Sequence, residues 1–409
     1  MTLTETQKKI IFIIFFVSFT IGTGYALYYF FFRTAAPVDI PTDEASGPSY
    51  TGTFGQTGER TPGQEPGTAP GQAAPLPISD DATAPDTEVE SELLLDQVTQ
   101  AASQSNEGRT RYYDPNDGRF YALDDEGNSL ALSNRQFLNV DSVSWSKTTN
   151  QAILEFPDGS NISYDFDTDR QVTLPKHWED FAFAPTDNKI VAKSIGLDQN
   201  NRYLIHSNAD GTELTASYKL GDNADRVIPS WSPNNQVIAF SKTGDPQPDG
   251  AEEILLLGKN HQQFRPLKVA GKGFLPSWSP NGKQLLYSIY HERDQFKPML
   301  WISDASGSQV GQNRRKLNIN TWADKCAWAD NTTVYCGVPI SLPSGSALDR
   351  ELVSSVSDDI YRIDLTNGTA QKINDYSHRY SISSPAVSPD GTSLTYTDTS
   401  SGKLYRFNF

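Results

Sequence analysis

Residues 229–242 read PSWSPNNQVIAFSK and residues 276–289 read PSWSPNGKQLLYSI. In each, a strand bearing an aromatic residue runs into a Pro-Asx turn and returns as an alternating, half-buried strand. The pattern recurs in VSWSKTTNQAILEF (143–156), FAFAPTDNKIVAKS (181–194), CAWADNTTVYCGV (326–338) and PAVSPDGTSLTYTD (385–398). Its aligned Ser or Ala positions, 146, 184, 232, 279, 329 and 388, are spaced by 38, 48, 47, 50 and 59 residues. Repeats of that length built only from strands predict an all-β fold, a β-propeller.

Each hairpin is followed by a third strand, a polar turn and a fourth, as in YLIHSNADGTELTASY (203–218) and DIYRIDLTNGTAQKI (359–373), so the blades are expected to be four-stranded. Trp145, Phe183, Trp231, Trp278 and Trp328 are then expected to pack between blades. The propeller should occupy residues 109–409. Its last segment, KLYRFNF (403–409), supplies too few strands for a blade, so the two chain ends should complete the ring together. Length favours six blades, and seven follow if RYYDPNDGRFYALD (111–124) opens a blade of its own.

The PxWSPxGxxxxxS pattern resembles the WD40-like (PD40) propeller repeat of TolB-type proteins, a repeat also found in the propellers of some peptidases. The match is nearest over 229–289 and weakest at Ser146-Lys147 and Ala329-Asp330, where the turn geometry is in question. The resemblance implies a scaffold for protein contacts in the cell envelope, periplasmic in TolB-like chains. It carries over no catalytic residues.

The N-terminal quarter differs in composition. Residues 10–32, IIFIIFFVSFTIGTGYALYYFFF, form an uncharged run of 23 residues, long enough for a helix across a hydrocarbon core of roughly 30 Å. Lys8 and Lys9 precede it and Asp39, Asp43 and Glu44 follow Arg33, which places residues 1–9 in the cytoplasm and the remainder outside. A cleaved signal peptide would share the basic start and the small residues Thr34 to Ala36, but its apolar core is usually shorter. Both readings export the body. Residues 33–86, rich in Pro, Gly, Thr and acidic side chains, predict a disordered linker. Over 87–104, Val89, Leu93, Leu94, Val98, Ala101 and Ala102 recur at helical spacing and predict a short amphipathic helix.

The net charge of −16 excludes a broad phosphate-binding surface, and nucleic acid is not an expected partner. Thirteen Asp and Glu against Arg60 alone lie between residues 34 and 108, so −12 of that charge belongs to the linker region and not to the propeller. Cys326 and Cys336 flank Asn331 symmetrically and face each other across the fifth hairpin, which suits either a disulfide in an exported domain or a packed pair of thiols. No His stands near them at ligand spacing, and neither a metal nor a cofactor is expected.

The longest connections are the expected seat of function. TGDPQPDGAE (243–252), YHERDQFKP (290–298) and PISLPSGSALDRELVSSVSD (339–358) exceed the usual length of about four to six residues. All three follow a second strand, which places them on one face of the ring. They present Asp249, His291, Glu292, Arg293, Asp294, Asp349, Arg350 and Glu351, a mixed-charge set suited to an envelope protein or a glycan, or else a group of solvated variable loops. GxSxG, HExxH, P-loop and Rossmann motifs are absent, so the expectation is a binding module and not an enzyme. The alternative is a glycan-binding or glycan-hydrolysing propeller, whose paired carboxylates a single sequence does not reveal.

Overall fold

The repeated Ser-Pro-Asx turn is stabilised from within. Ser232, fully buried, accepts the amide N–H of Val237 at 2.9 Å, and Ser279 accepts that of Gln284 at 2.9 Å. Asn234 and Asn281 accept from these hydroxyls at 2.7 and 2.9 Å. A short polar side chain at each position thus satisfies turn groups that the strands leave unpaired. The turns also touch around the ring: Asn234 Nδ2 donates to the Gly282 carbonyl at 2.7 Å, and Gly282 (φ +65°) has no room for a Cβ beside the Asn234 amide.

The computed structural model describes residues 91–409, apart from 125 and 375–378. They form seven four-stranded antiparallel sheets. Six are continuous in sequence, at residues 100–131, 142–174, 178–219, 227–269, 272–316 and 326–372, and are blades 1 to 6 from here on. Blade 7 combines Ile382–Val387, Ser393–Asp398 and Leu404–Asn408 with Ser91–Leu95 as its outermost strand. The two ends of the propeller therefore close the ring in one sheet, as the C-terminal strand deficit requires.

Every hydrophobic cluster straddles two neighbouring blades. Phe240, Ile254 and Leu267 of blade 4 meet Phe274, Tyr287 and Trp301 of blade 5 in the largest. Leu95 and Leu404 of blade 7 meet Tyr112 and Leu123 of blade 1 in the smallest. The motif aromatics sit at these seams. Trp145 Nε1 donates to the Ala101 carbonyl of blade 1 at 2.8 Å, Trp278 Nε1 to Ser230 Oγ of blade 4 at 3.1 Å, and Trp328 Nε1 to Ser277 Oγ of blade 5 at 3.2 Å. Each of these three indoles packs its rings at the seam and spends its one donor on the preceding blade, whereas Trp231 Nε1 donates to Asn235 Oδ1 of its own blade at 2.6 Å.

Three expectations change. The helix over 87–104 is replaced, within the described residues, by strands Ser91–Leu95 and Gln100–Gln104. An isolated helix of that length is marginal, whereas these two segments complete sheets that would otherwise keep an open edge or lack an inner strand. The propeller accordingly begins before residue 109, and the blade opened by Gln100–Gln104 raises the count from the favoured six to seven. Among the described residues the helices are 3-10 turns, and none is long and apolar enough to cross a membrane. The expected cytoplasmic segment 1–9, membrane span 10–32 and linker 33–86 lie outside the described residues.

Cys326 and Cys336 are direct register partners on the two innermost strands of blade 6 and form a disulfide, with Cα atoms 4.1 Å apart. Of the two readings left open by the sequence, the covalent one is realised.

Candidate functional site

The second-to-third loops of blades 4, 5 and 6 are neighbours on one face of the ring, shared with the connections between blades. They brace one another. His291 Nδ1 accepts the Arg293 N–H at 3.0 Å, which leaves the ring proton on Nε2, donated to the Asp249 carbonyl at 2.7 Å. The Gln295 and Phe296 carbonyls accept N–H groups of Gly345 and Ala347 of the next loop, both at 2.9 Å. Three connections that would each be mobile alone are thereby tied into one rim.

Between the first two loops lies a cavity of about 610 Å³ lined by Asp249, Lys272, Tyr290, His291, Glu292, Arg293 and Phe296. Backbone strain gathers around it. Asp249, Gln295 and Phe296 adopt left-handed conformations at φ 56°, 57° and 53°, which non-glycine residues hold only where the surroundings over-determine them. Lys272 reaches the cavity from an inner-strand bulge at Gly273 (φ 69°), where a side chain would run into the Tyr290 ring. The walls are two aromatic rings, Tyr290 and Phe296, whose centroids lie 6.3 Å apart. Two cations, Lys272 and Arg293, and two carboxylates, Asp249 and Glu292, share the cavity, and among the described residues none of the four has an ion-pair partner.

Three of the other four, Asp294, Asp349 and Arg350, are committed within the protein. Asp294 pairs with Lys316 at 3.2 Å. Asp349 accepts the Glu351 N–H at 3.0 Å and caps the 3-10 turn Arg350–Val353. Arg350 grips Asp324 with two bonds of 2.7 and 3.0 Å and lies over the Trp322 ring at 4.7 Å. Arg350 and Glu351 line a second hollow, of about 320 Å³, with Trp322, Lys325 and Ser381–Ser384. At its edge Lys325 Nζ donates to Asp358 Oδ2 at 2.6 Å, and the Ile382 N–H donates to the same oxygen at 2.5 Å. Burial pushes the Asp358 carboxyl above the usual carboxylate range, against the pull of Lys325.

The eight sequence-derived candidates thus separate into a cavity group (Asp249, His291, Glu292, Arg293), a rim group that fixes loop shape (Asp294, Asp349), and a pair on a neighbouring hollow (Arg350, Glu351). Loop length marks the first group but misses Lys272, which is the first residue of the innermost strand of blade 5, Lys272–Trp278. Tyr290 and Phe296 lie within the long loop 290–298 but, as apolar side chains, fall outside the charged set chosen from it. Among the described residues no three His, Cys, Asp or Glu side chains cluster as metal ligands would.

No protein-family model matches the chain, and no curated protein matches it in sequence. Solved structures do. The β-propeller domain of Cps50 (Swd1) from Myceliophteria thermophila is similar at TM-score 0.52 and 10% identity over 80% of this chain and 100% of that one. A chain of a mitotic checkpoint complex is similar at TM-score 0.52 and 13% identity over 87% and 99%. An oligogalacturonate lyase from Vibrio parahaemolyticus is similar at TM-score 0.50 and 12% identity over 80% and 95%. At these identities the likeness is one of fold, and the fold is a β-propeller.

Proposed function

We propose that this chain is a non-enzymatic binding propeller that holds a protein partner on the braced loops of blades 4, 5 and 6. Residues 10–32 would tether it to a membrane with the propeller outside the cytoplasm. The carrying observation is the 610 Å³ cavity, in which two cations, two carboxylates and two aromatic rings converge without ion pairs among themselves. Aromatic and Arg side chains held in a rigid concave setting are the usual anchors of protein recognition. Opposite charges left unpaired side by side favour a partner that supplies both signs. The likeness of the repeats to TolB-type propellers supports an envelope scaffold. The disulfide suits an oxidising compartment.

The test is capture from solubilised host membranes by the full chain, compared with a Lys272→Glu/Arg293→Glu variant of unchanged melting temperature. A discrete partner retained by the first and lost by the second supports the reading. Equal capture by both, or none, removes it. The alternative, a glycan-cleaving propeller, draws on the fold shared with the Vibrio lyase. It requires the full chain to degrade oligogalacturonate.

A further inference from the structure

We infer that the propeller carries a second, independent ligand site on the face opposite the long loops, between blades 2 and 3, and that its ligand class is a neutral polyhydroxylated molecule, a mono- or disaccharide unit. The site is a cavity of about 420 Å³. Sheet register builds its wall: Gln151, Asp165 and Arg170 are successive cross-strand partners in blade 2, one row of side chains on the face turned toward blade 3. Deeper on that face Ile153 and Leu174 enter the apolar seam with blade 3, so the row marks where the interface turns from apolar to polar.

The polar groups there are fixed and incompletely used. Gln151 Oε1 is buried without a hydrogen-bond partner, and a buried acceptor left empty is costly unless something fills it. Asp165 Oδ1 accepts the amides of Asp167 and Thr168 at 3.0 and 3.2 Å, which anchors the carboxylate and leaves Oδ2 free of the turn. Asn208 donates its amide to Thr212 Oγ1 at 2.9 Å and keeps Oδ1 as an acceptor. Asp210 is fixed the same way through Oδ1, by the Thr212 N–H at 3.1 Å and its hydroxyl at 2.6 Å. Arg170, exposed at the cavity edge, makes no side-chain hydrogen bond or ion pair among the described residues, although, after the Thr212 hydrogen bonds, its charge helps hold the Asp210 carboxyl below its usual range, and it offers a planar fork of donors.

Several held acceptors around one donor fork match a ligand dense in hydroxyls, each able to donate to a carboxylate or amide oxygen and accept from the guanidinium. An anion is disfavoured because Asp165 and Asp210 flank Arg170, and a bare cation because Arg170 sits among the acceptors. An apolar ligand finds only Val172 and Ala209. The volume falls within the ordinary range of small-molecule sites, about 300–1,000 Å³.

The test is saturation-transfer NMR on the full chain with glucose, galactose, mannose, N-acetylglucosamine, maltose and cellobiose, repeated on Arg170→Met and Gln151→Leu. At least one of these sugars should bind, and each substitution should weaken it by roughly tenfold, the factor for loss of a charge-assisted or buried hydrogen bond. Gln151→Leu removes an unsatisfied buried acceptor and should not lower the melting temperature, so weaker binding by that variant is not unfolding. The inference is overturned if none of the six sugars binds, if binding survives both substitutions, or if calcium or inorganic phosphate alone binds in place of sugar.

Discussion

The hydroxyls of Ser91 and Tyr396 lie 2.7 Å apart across 305 residues of sequence, and this bond fastens the outermost strand of blade 7 to the sheet it completes. The seam beside it, between blades 7 and 1, has the smallest apolar cluster of the ring, Leu95, Tyr112, Leu123 and Leu404. A chain starting at residue 98 loses Ser91–Leu95 and should be less stable than one starting at residue 85 by about 3 kcal/mol or more, from the lost Leu95 packing and strand bonds. Urea denaturation of the two chains measures it. The shorter chain should also self-associate, because Leu404–Asn408 becomes an open edge.

Reduction should weaken blade 6. The Cys326–Cys336 bond closes a loop of 10 residues, and closing so short a loop contributes about 2–3 kcal/mol through the unfolded state. Adding dithiothreitol should lower the denaturation midpoint of the wild type and leave a Cys326→Ala/Cys336→Ala variant unmoved. An equal shift in both would refute the assignment.

Lys325 and Asp358 form the ion pair whose loss should be felt most. Both side chains are nearly inaccessible, at 9% and 0%. Lys325→Met strands a buried carboxylate and should destabilise by about 3–5 kcal/mol, whereas Lys325→Met with Asp358→Leu should recover most of that loss. Exposed Arg350–Asp324, at 48% and 46%, should contribute less than about 1 kcal/mol in a double-mutant cycle. Chemical denaturation separates the two cases.

His206 should make stability fall on mild acidification. Burial, with Lys259, Lys189 and His261 adding to it, holds its imidazole below the usual value of 6.5, while its Nδ1 contacts Ser217 Oγ at 2.8 Å. The unfolded chain therefore takes a proton that the folded chain refuses, so the contribution is complete above pH 6.5 and is lost as pH falls below it toward the folded value. His206→Gln should flatten the stability profile between pH 7 and 5, read from denaturation midpoints.

Much of this architecture is written locally. Trp278 and Trp328 recur with the Ser-Pro-Asx or related turn, and a repeat of strand-turn-strand units around buried indoles has few ways to pack other than as blades. What escapes a local reading depends on distant partners. Residues 87–104 show helical spacing in isolation, and the strand identity of Ser91–Leu95 comes from Leu404–Asn408, some 310 residues away. The site divides similarly. Long loops announced Asp249 and the 291–293 triplet, but the pairing of Arg350 with Asp324 and the convergence of Lys272 with Phe296 arise only when blades are side by side.

The most direct test of the binding account is site-specific crosslinking in the host. A photoreactive amino acid replaces Glu292 at the cavity mouth, and in a second chain replaces Thr173 on the outer strand of blade 2. The account predicts one discrete protein adduct from position 292, lost with Arg293→Glu, and none from position 173. Adducts that are absent from 292, or equal from the two positions, would contradict it.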